Sequence, residues 1–193
     1  MEITLGTGNE HKVFEINTIV KAKGYKDISF VPVKGKFNPD EDGETFEENS
    51  LIKARAGAKL SNYLTLADDS GLCIDALNGA PGLYSARYAG NQDEKIARIL
   101  KELDGVENRK AKFVCYMTLV DGEGKIIHKT CGECCGQIIK ERKGVNGFGY
   151  DPIFLPDGFD ITMAEMSEEA KNEISHRGRA LTRMLEFISS NLM

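Results

Sequence analysis

Four short strings, far apart in this chain, carry the residue types that handle a phosphate, a divalent metal and a water molecule. Residues 7–12 offer backbone N–H groups and an ammonium group, and residues 67–71 offer two adjacent carboxylates. Residues 175–177 add an imidazole and a guanidinium group, and residues 148–152 add two aromatic rings and a carboxylate. Phosphate and magnesium binding need this mixture, so the sequence predicts an enzyme that hydrolyses nucleotides.

The first string joins a predicted strand to a predicted helix and is a candidate phosphate cradle. Its members are Thr7, Gly8, Asn9, Glu10, His11 and Lys12. Gly8 lets an anion approach the backbone, and the positive end of the helix attracts phosphate. The spacing is not that of a Walker loop, and a strand-to-helix turn also uses Gly and Asn for structural reasons. The string therefore indicates phosphate binding only together with the others.

The adjacent acids Asp68 and Asp69 are a stronger signal. Two neighbouring carboxylates repel each other unless a cation lies between them or one is protonated. Oxygen ligands suit Mg²⁺, and one acid of such a pair can instead orient or deprotonate a water molecule. Six further acids lie within residues 40–48, and we expect most to be solvated and one or two to complete a metal site. Lys53 follows on the same predicted helix, where its ammonium group can neutralise phosphate charge.

The remaining strings are candidates for contacts with a nucleobase. Phe148 and Tyr150 flank Gly149 and can stack on a base, although a hydrophobic plug would use the same rings. Asp151 precedes a proline, so we expect an extended backbone that offers a fixed hydrogen bond. Lys171, His176 and Arg177 supply donors for a carbonyl oxygen or a phosphate; they follow later in the chain.

Apolar spacing predicts the elements that position these strings. We expect helices over residues 10–23, 46–60 and 93–103, and one or two over 168–190; strands are expected over 3–7, 28–33, 64–67, 72–77, 112–120 and 125–139. Asn9 is placed to cap the first helix, and Thr45 with Glu48 forms a capping box at the second. The strand over 64–67 is expected to deliver the two acids and Ser70 at its C-terminal end, where ligands of open α/β sheets bind.

The order of these elements predicts the fold class. The β-α-β start favours a parallel pair, and the two long strands joined by a turn at 121–124 favour an antiparallel one. We therefore expect an α/β protein, with a twisted mixed sheet, helices on its outer faces and two lobes around a central substrate groove. We expect residues 1–193 to form a single domain.

Composition restricts the partners. With 41% hydrophobic and 28% charged residues, the chain is typical of soluble globular proteins. A net charge of −5 argues against a stable nucleic-acid partner, because proteins that hold long nucleic acids carry a basic face, but it does not exclude a small anion. No apolar run approaches the ~20 residues that span a bilayer, and the N-terminus does not resemble a signal peptide. We therefore expect a cytoplasmic protein with no membrane partner.

Five cysteines lie at positions 73, 115, 131, 134 and 135. Their odd number and the lack of an export signal argue against a disulfide framework. Cys131 and Cys134 have one half of a zinc-binding spacing, but a tetrahedral site needs two more ligands. We expect a strand that carries reduced thiols.

Taken together, the motifs resemble those of the inosine triphosphate pyrophosphatase family. The matching strings are Thr-Gly-Asn-x-x-Lys at 7–12, Glu-Asn-Ser-x-x-Lys-Ala at 48–54, Ala-Asp-Asp-Ser-Gly-Leu at 67–72, Gly-Ala-Pro-Gly-x-Tyr-Ser-Ala-Arg-Tyr at 79–88, Gly-Phe-Gly-Tyr-Asp-Pro-x-Phe at 147–154 and Ile-Ser-His-Arg at 174–177. They occur in the family's order and cover essentially the whole chain. Any one string is a weak signal, whereas six in order are highly specific.

The resemblance implies an elongated fold, usually a homodimer, and Mg²⁺-dependent hydrolysis of ITP, dITP and XTP to the monophosphate and pyrophosphate. It implies that residues 7–12 hold the triphosphate, that Asp69 activates water and that Ser70 touches the substrate. Glu41 and Asp69 would surround the metal, with Asp40 as an alternative to Glu41, and we assign Lys53 and Asp69 as the catalytic residues. The segment Phe148, Gly149, Tyr150 and Asp151 would frame the base, and Lys171, His176 and Arg177 would complete its pocket. Donors from His176 and Arg177 would favour 6-oxo purines over adenine; the residue that excludes guanine is not assigned.

Three alternatives stay open at this point. One is a nucleotide pyrophosphatase for modified pyrimidine or methylated nucleotides, and a second is a non-catalytic nucleotide- or RNA-binding module. The third is a metal or redox centre at residues 131–135.

Overall fold

The computed structural model describes residues 1–193, with the exception of the side chain of His11. In chain order the elements are β1 Glu2–Leu5, α1 Glu10–Ala22, β2 Ser29–Pro32, α2 Phe46–Ser61, β3 Thr65–Ile74, α3 Gln92–Glu102, β4 Lys110–Val120, β5 Ile126–Ile138, β6 Phe154–Pro156, α4 Glu168–Ile174 and α5 His176–Asn191. Short 3₁₀ segments cover Asp75–Leu77, Gly82–Arg87 and Asp151–Ile153. Among the described helices, none is long and apolar enough to cross a membrane.

The six strands form one mixed sheet in the order β2-β1-β3-β4-β5-β6. Strand β1 pairs in parallel with both β2 and β3, whereas β5 and β6 are antiparallel. The long strands β4 and β5 form a hairpin: the Asp121 N–H donates to the Lys125 carbonyl at its turn, and the Ile138 N–H donates to the Arg109 carbonyl at its far end. The predicted α/β class, the parallel start and the antiparallel pair are therefore confirmed.

Local signals placed the helices well. The side chain of Thr45 accepts a hydrogen bond from the Glu48 N–H, and the Glu48 carboxylate accepts one from the Thr45 N–H, so the capping box of α2 is confirmed. At α1, the Asn9 side chain accepts from the Lys12 N–H at 3.4 Å. The region over 168–190 contains two helices, α4 and α5, because the chain becomes extended at Ser175 between them.

The prediction for the acidic strand was wrong. Residues 64–67 and 72–77 do not form two short strands; one continuous strand, β3, runs from Thr65 to Ile74 and contains Asp68 and Asp69. The strand can continue through both acids because each has a cationic partner, so neither must turn out to water. The two acids were expected at the C-terminal end of a strand. Since β1 pairs with β3 only as far as Leu66, they lie past the C-terminal end of β1 instead of their own strand.

The chain divides into two compact units. The first contains residues 1–69, 115–132 and 177–193, and the second contains residues 70–114 and 133–176. Each has its own buried apolar cluster. That of the first unit includes Ile3, Leu5, Ile16, Ile19, Leu66, Met117, Leu181, Met184 and Ile188; that of the second includes Leu72, Ile74, Ile96, Ile99, Leu103, Phe113, Ile153 and Phe154. The expectation of a single domain around a groove stays a prediction.

Candidate active site

In the first unit, the carboxylate of Asp68 lies at the centre of a buried ion-pair cluster. Its side chain is 2% exposed and accepts from Lys12 Nζ at 3.0 and 3.1 Å. Arg177, also 2% exposed, donates to Asp68 at 3.2 Å and to Glu15 at 2.8 Å. Burial alone raises the pKa of Asp68, but the charges of Lys12, Arg177 and Lys53 outweigh it and hold that pKa far below its usual range. Asp68 therefore stays ionised and holds two cations in place.

Lys12 connects the Asp68 cluster to the start of α1. Its ammonium group contacts Asp68, and its backbone belongs to the first turn of the helix. Preceding it, Gly8 and Asn9 are exposed, and Thr7 Oγ1 accepts from the Asn9 N–H at 3.1 Å. The helix begins at the exposed Glu10; the side chain of His11 lies outside the described part of the chain. An ammonium group beside the positive end of a helix is suited to binding a phosphate.

Asp69 has a different environment from its neighbour. Lys53 Nζ donates to Asp69 at 2.6 Å and lies 2.8 Å from the carboxylate of Glu41. Burial raises the pKa of Asp69 although the charge of Lys53 opposes it, and Glu41 and Asp68 raise it further. Burial lowers the pKa of Lys53, but Asp68 and Asp69 outweigh burial and raise it overall. A carboxylate with a raised pKa is a stronger proton acceptor, and Lys53 stays charged beside it.

The donor set at Asp69 and Glu41 fits magnesium. Both carboxylates approach one cationic atom, Lys53 Nζ, so their oxygens already surround a positive charge. Among the described residues, no group of three or more His, Cys, Asp or Glu is arranged to hold a metal. Mg²⁺ is commonly bound by one or two carboxylates together with waters and substrate phosphates. The contact with Lys53 favours Glu41 over Asp40 as the loop ligand.

The second unit contains the predicted nucleobase segment. Asp151 is 4% exposed and accepts from Lys171 Nζ at 2.7 Å and from the Phe148 N–H at 2.9 Å. The ammonium group of Lys171 lies 4.5 Å from the centre of the Phe148 ring, within range of a cation–π contact. These contacts hold Phe148 and Asp151 together, and Phe148 is 51% exposed.

Two details of this segment differ from the sequence interpretation. Asp151 begins a 3₁₀ segment and is not extended, because its carboxylate turns back to the Phe148 N–H and closes a tight turn. Tyr150 is 4% exposed and packs in the apolar cluster of the second unit, with its hydroxyl donating to the Ser85 carbonyl at 2.8 Å. The hydrophobic-plug interpretation therefore fits Tyr150, whereas the Phe148 ring is half exposed and contacts Lys171.

The adjacent residues His176 and Arg177 belong to different units. His176 is 8% exposed and stacks on Phe113, with ring centroids 4.8 Å apart and an interplanar angle of 12°. Arg177 points to Asp68 and Glu15 in the first unit. Ser70 follows Asp69 in β3 and is partly buried. The assignments of these residues to the substrate stay predictions.

Sequence reasoning missed two members of the Asp68 cluster. Glu15 lies one turn after Lys12 on α1 and pairs with Arg177, which is 162 positions further on. Cys115 Sγ lies 4.0 Å from Asp68, and burial together with that negative charge raises the pKa of its thiol far above the usual range. The spacing of Glu15 from Lys12 was the one available signal, since both residues share a helix face.

Three of the cysteines lie on strand β5, and the expectation that they are reduced thiols stays a prediction. None of the five cysteines forms a disulfide; Cys134 is buried and Cys135 is exposed, as expected from alternation along β5. Among the described residues around them, no group of three or more His, Cys, Asp or Glu is arranged to hold a metal, and the metal-centre alternative stays open.

Comparison with known proteins agrees with the resemblance found in the motifs. The Ham1 family model matches residues 3–187. The chain is 43% identical over 194 residues to a dITP/XTP pyrophosphatase from Desulforamulus reducens, covering 98% of this chain and 96% of that one. It is 41% identical to a dITP/XTP pyrophosphatase from Synechocystis sp., covering 95% and 93%.

Solved structures show the same likeness. The Ham1 protein of Staphylococcus aureus superposes with a TM-score of 0.87 at 37% identity, covering 98% of this chain and 99% of that one. A dITP/XTP pyrophosphatase from Mycobacterium abscessus superposes with a TM-score of 0.75 at 39% identity, covering 96% and 99%.

Proposed function

Because this chain belongs to the Ham1 family, we propose that it hydrolyses the non-standard purine nucleoside triphosphates ITP, dITP and XTP to the monophosphate and pyrophosphate. Relatives at about 40% identity over nearly the whole chain are named for this activity, which supports a pyrophosphatase acting on a purine nucleotide. The observation that carries the proposal is that the two adjacent acids have different ion-pair partners. Asp68 is committed to Lys12 and Arg177, whereas Asp69 faces Lys53 and Glu41.

Residues of the first unit have different proposed roles in binding and hydrolysing the triphosphate. Lys12 and the N–H groups at the start of α1 bind phosphate oxygens, and Asp68 keeps the Lys12 ammonium group in place. Asp69 accepts a proton from the attacking water, and its raised pKa makes it the stronger base of the two acids. Lys53 orients the Asp69 carboxylate and stabilises negative charge that develops on the phosphates.

Magnesium would be held by Glu41 and Asp69, with the remaining positions filled by waters and phosphate oxygens. When bound, it would neutralise the triphosphate charge and polarise the scissile linkage. Phe148 would stack on the purine, and Lys171 and Asp151 would present a donor and an acceptor to its edge. We further propose a cytoplasmic homodimer with no stable nucleic-acid partner.

The test is the identity of the inorganic product and the ranking of substrates. We expect purified protein with Mg²⁺ to release pyrophosphate from ITP, dITP and XTP much faster than from ATP or GTP, and to lose turnover when the metal is chelated. Release of orthophosphate in place of pyrophosphate would refute the proposed reaction. Faster hydrolysis of dUTP or of methylated nucleotides would favour the pyrimidine or methylated-nucleotide alternative, and binding of ITP without turnover would favour a binding module.

A further inference from the structure

Two residues to which no role has been assigned, Gln92 and Ser85, form hydrogen bonds with the nucleobase segment. The Gly149 N–H donates to the side-chain oxygen of Gln92 at 3.1 Å. The Tyr150 hydroxyl donates to the backbone carbonyl of Ser85 at 2.8 Å. Both contacts lie within the second unit, and together they fix two consecutive residues directly after Phe148.

The contact between Asp151 and the Phe148 N–H closes this segment internally, and the glycines beside Phe148 are its conformationally permissive positions. Gly147 and Gly149 have φ values of +73° and +63°, in the left-handed region that glycine enters at little cost. Glycines on both sides of Phe148 restrict the direction of its ring little, and Lys171 contacts the ring at 4.5 Å. The ring is 51% exposed, so burial does not determine its direction either.

The hydrogen bond from the Tyr150 hydroxyl to the Ser85 carbonyl is buried. Burial raises the pKa of the Tyr150 phenol well above its usual value, so the hydroxyl remains a donor. Ser85, which accepts that bond, is itself fixed: its Oγ accepts from the Leu72 N–H at 2.9 Å and donates to the Gly82 carbonyl at 2.6 Å. Tyr150 is thereby held against strand β3 and the 3₁₀ segment Gly82–Arg87.

The hydrogen bond at Gly149 is accepted by Gln92, which lies at the exposed start of helix α3. Gln92 is the first residue of α3, but the helix is capped by Asn91, whose side chain accepts from the Glu94 N–H at 3.0 Å. The Gln92 side chain is therefore not needed to cap its own helix. Its oxygen instead accepts from Gly149, which lies 57 positions further along the chain.

We propose that Gln92 and Ser85 are positioning residues, which set the direction of the Phe148 ring through Gly149 and Tyr150 and so tune the affinity for the purine. The inference rests on the proposed function. Neither residue is among those proposed to bind the phosphates or the metal, so we expect its effect on binding of the base and not on the chemical step.

The test compares two substitutions of Gln92 that differ in the acceptor atom. Gln92→Met keeps the length of the side chain and removes the oxygen, whereas Gln92→Glu keeps an oxygen at the same position. We expect Gln92→Met to raise KM for ITP about two- to tenfold, the effect of one lost hydrogen bond, with kcat within about twofold of the wild type. Gln92→Glu should keep KM within about twofold. Tyr150→Phe, which removes the second hydrogen bond, should raise KM in the same direction.

Two readouts separate positioning from general damage. Inhibition by pyrophosphate, a product that lacks the base, should be unchanged in Gln92→Met, and its melting temperature should match the wild type because Gln92 is exposed. Calorimetric affinity for IMP should fall in Gln92→Met and be kept in Gln92→Glu. Unchanged KM and IMP affinity in Gln92→Met, or an equal loss of pyrophosphate affinity, would overturn the inference. A wild-type protein that binds IMP but releases no pyrophosphate from ITP would instead refute the proposed function.

Discussion

The adjacent acids of β3 should respond in opposite ways to the same substitution. Asp68→Asn removes a buried charge that faces Lys12 at 3.0 Å and Arg177 at 3.2 Å. Arg177 is 2% exposed and cannot turn to water, although it keeps Glu15 at 2.8 Å. Removing one partner of a buried ion pair costs about 3–5 kcal/mol, and because Arg177 keeps its contact with Glu15 we expect a loss of about 3 kcal/mol. For a chain of this length the melting temperature should fall by about 6–12 °C.

The matched control is Asp69→Asn at the next position. Its partner Lys53 keeps the contact with Glu41, so the ammonium group does not lose its only acid. We expect a change in stability of less than about 1 kcal/mol but a loss of kcat of about 10²–10⁴-fold, because a general base is removed. The two variants therefore separate a structural acid from a catalytic acid within one strand.

Both variants are measured in the same way, by thermal and denaturant unfolding together with pyrophosphate release from ITP. A free energy of unfolding for Asp68→Asn within about 1 kcal/mol of the wild type, or a lower stability of Asp69→Asn than of Asp68→Asn, would contradict the structural role of Asp68. Asp69→Asn with wild-type turnover would remove this residue from the catalytic step.

Three other predictions concern the same fold. Lys53→Met should lower turnover yet strengthen Mg²⁺ binding in the absence of nucleotide, because it removes the cation that the Glu41 carboxylate faces; weaker binding by calorimetry would contradict this. Gly57→Ala should destabilise the protein by about 1–3 kcal/mol in denaturant unfolding, despite the better helix propensity of alanine, because the new Cβ would lie 2.9 Å from a threonine methyl group of β3; a more stable variant would show that the strand yields. A thiol reagent should label Cys135 in the native protein and leave Cys115 unlabelled until unfolding, since Cys115 is buried and its pKa is raised; mass spectrometry of labelled peptides that finds Cys115 modified first would refute this.

Much of the fold is encoded in short-range patterns of the sequence. The capping box at Thr45 and the apolar spacing of α1 and α2 depend on residues three or four positions apart, so no knowledge of the tertiary structure is needed. The motifs also identified the family, because six strings in order leave little room for coincidence. The prediction that a strand ends at the two acids was wrong because it depends on residues far apart in the sequence. A charged side chain predicts a strand end only when no distant cation neutralises it. The cations that pair with the two acids of β3, Lys12 and Lys53, come from other elements of the chain.

The sequence by itself determined which elements form, which residue types can bind phosphate and magnesium, and which family the chain belongs to. Only the tertiary structure decided which of two identical neighbours is structural and which faces the chemistry. Side chains alternate along β3, so Asp68 points to Lys12 and Arg177 while Asp69 points to Lys53, and these partners lie 56, 109 and 16 positions away. Neighbouring charges then separate their pKa values, because burial raises both and only at Asp68 do the cations that folding brings beside it outweigh burial.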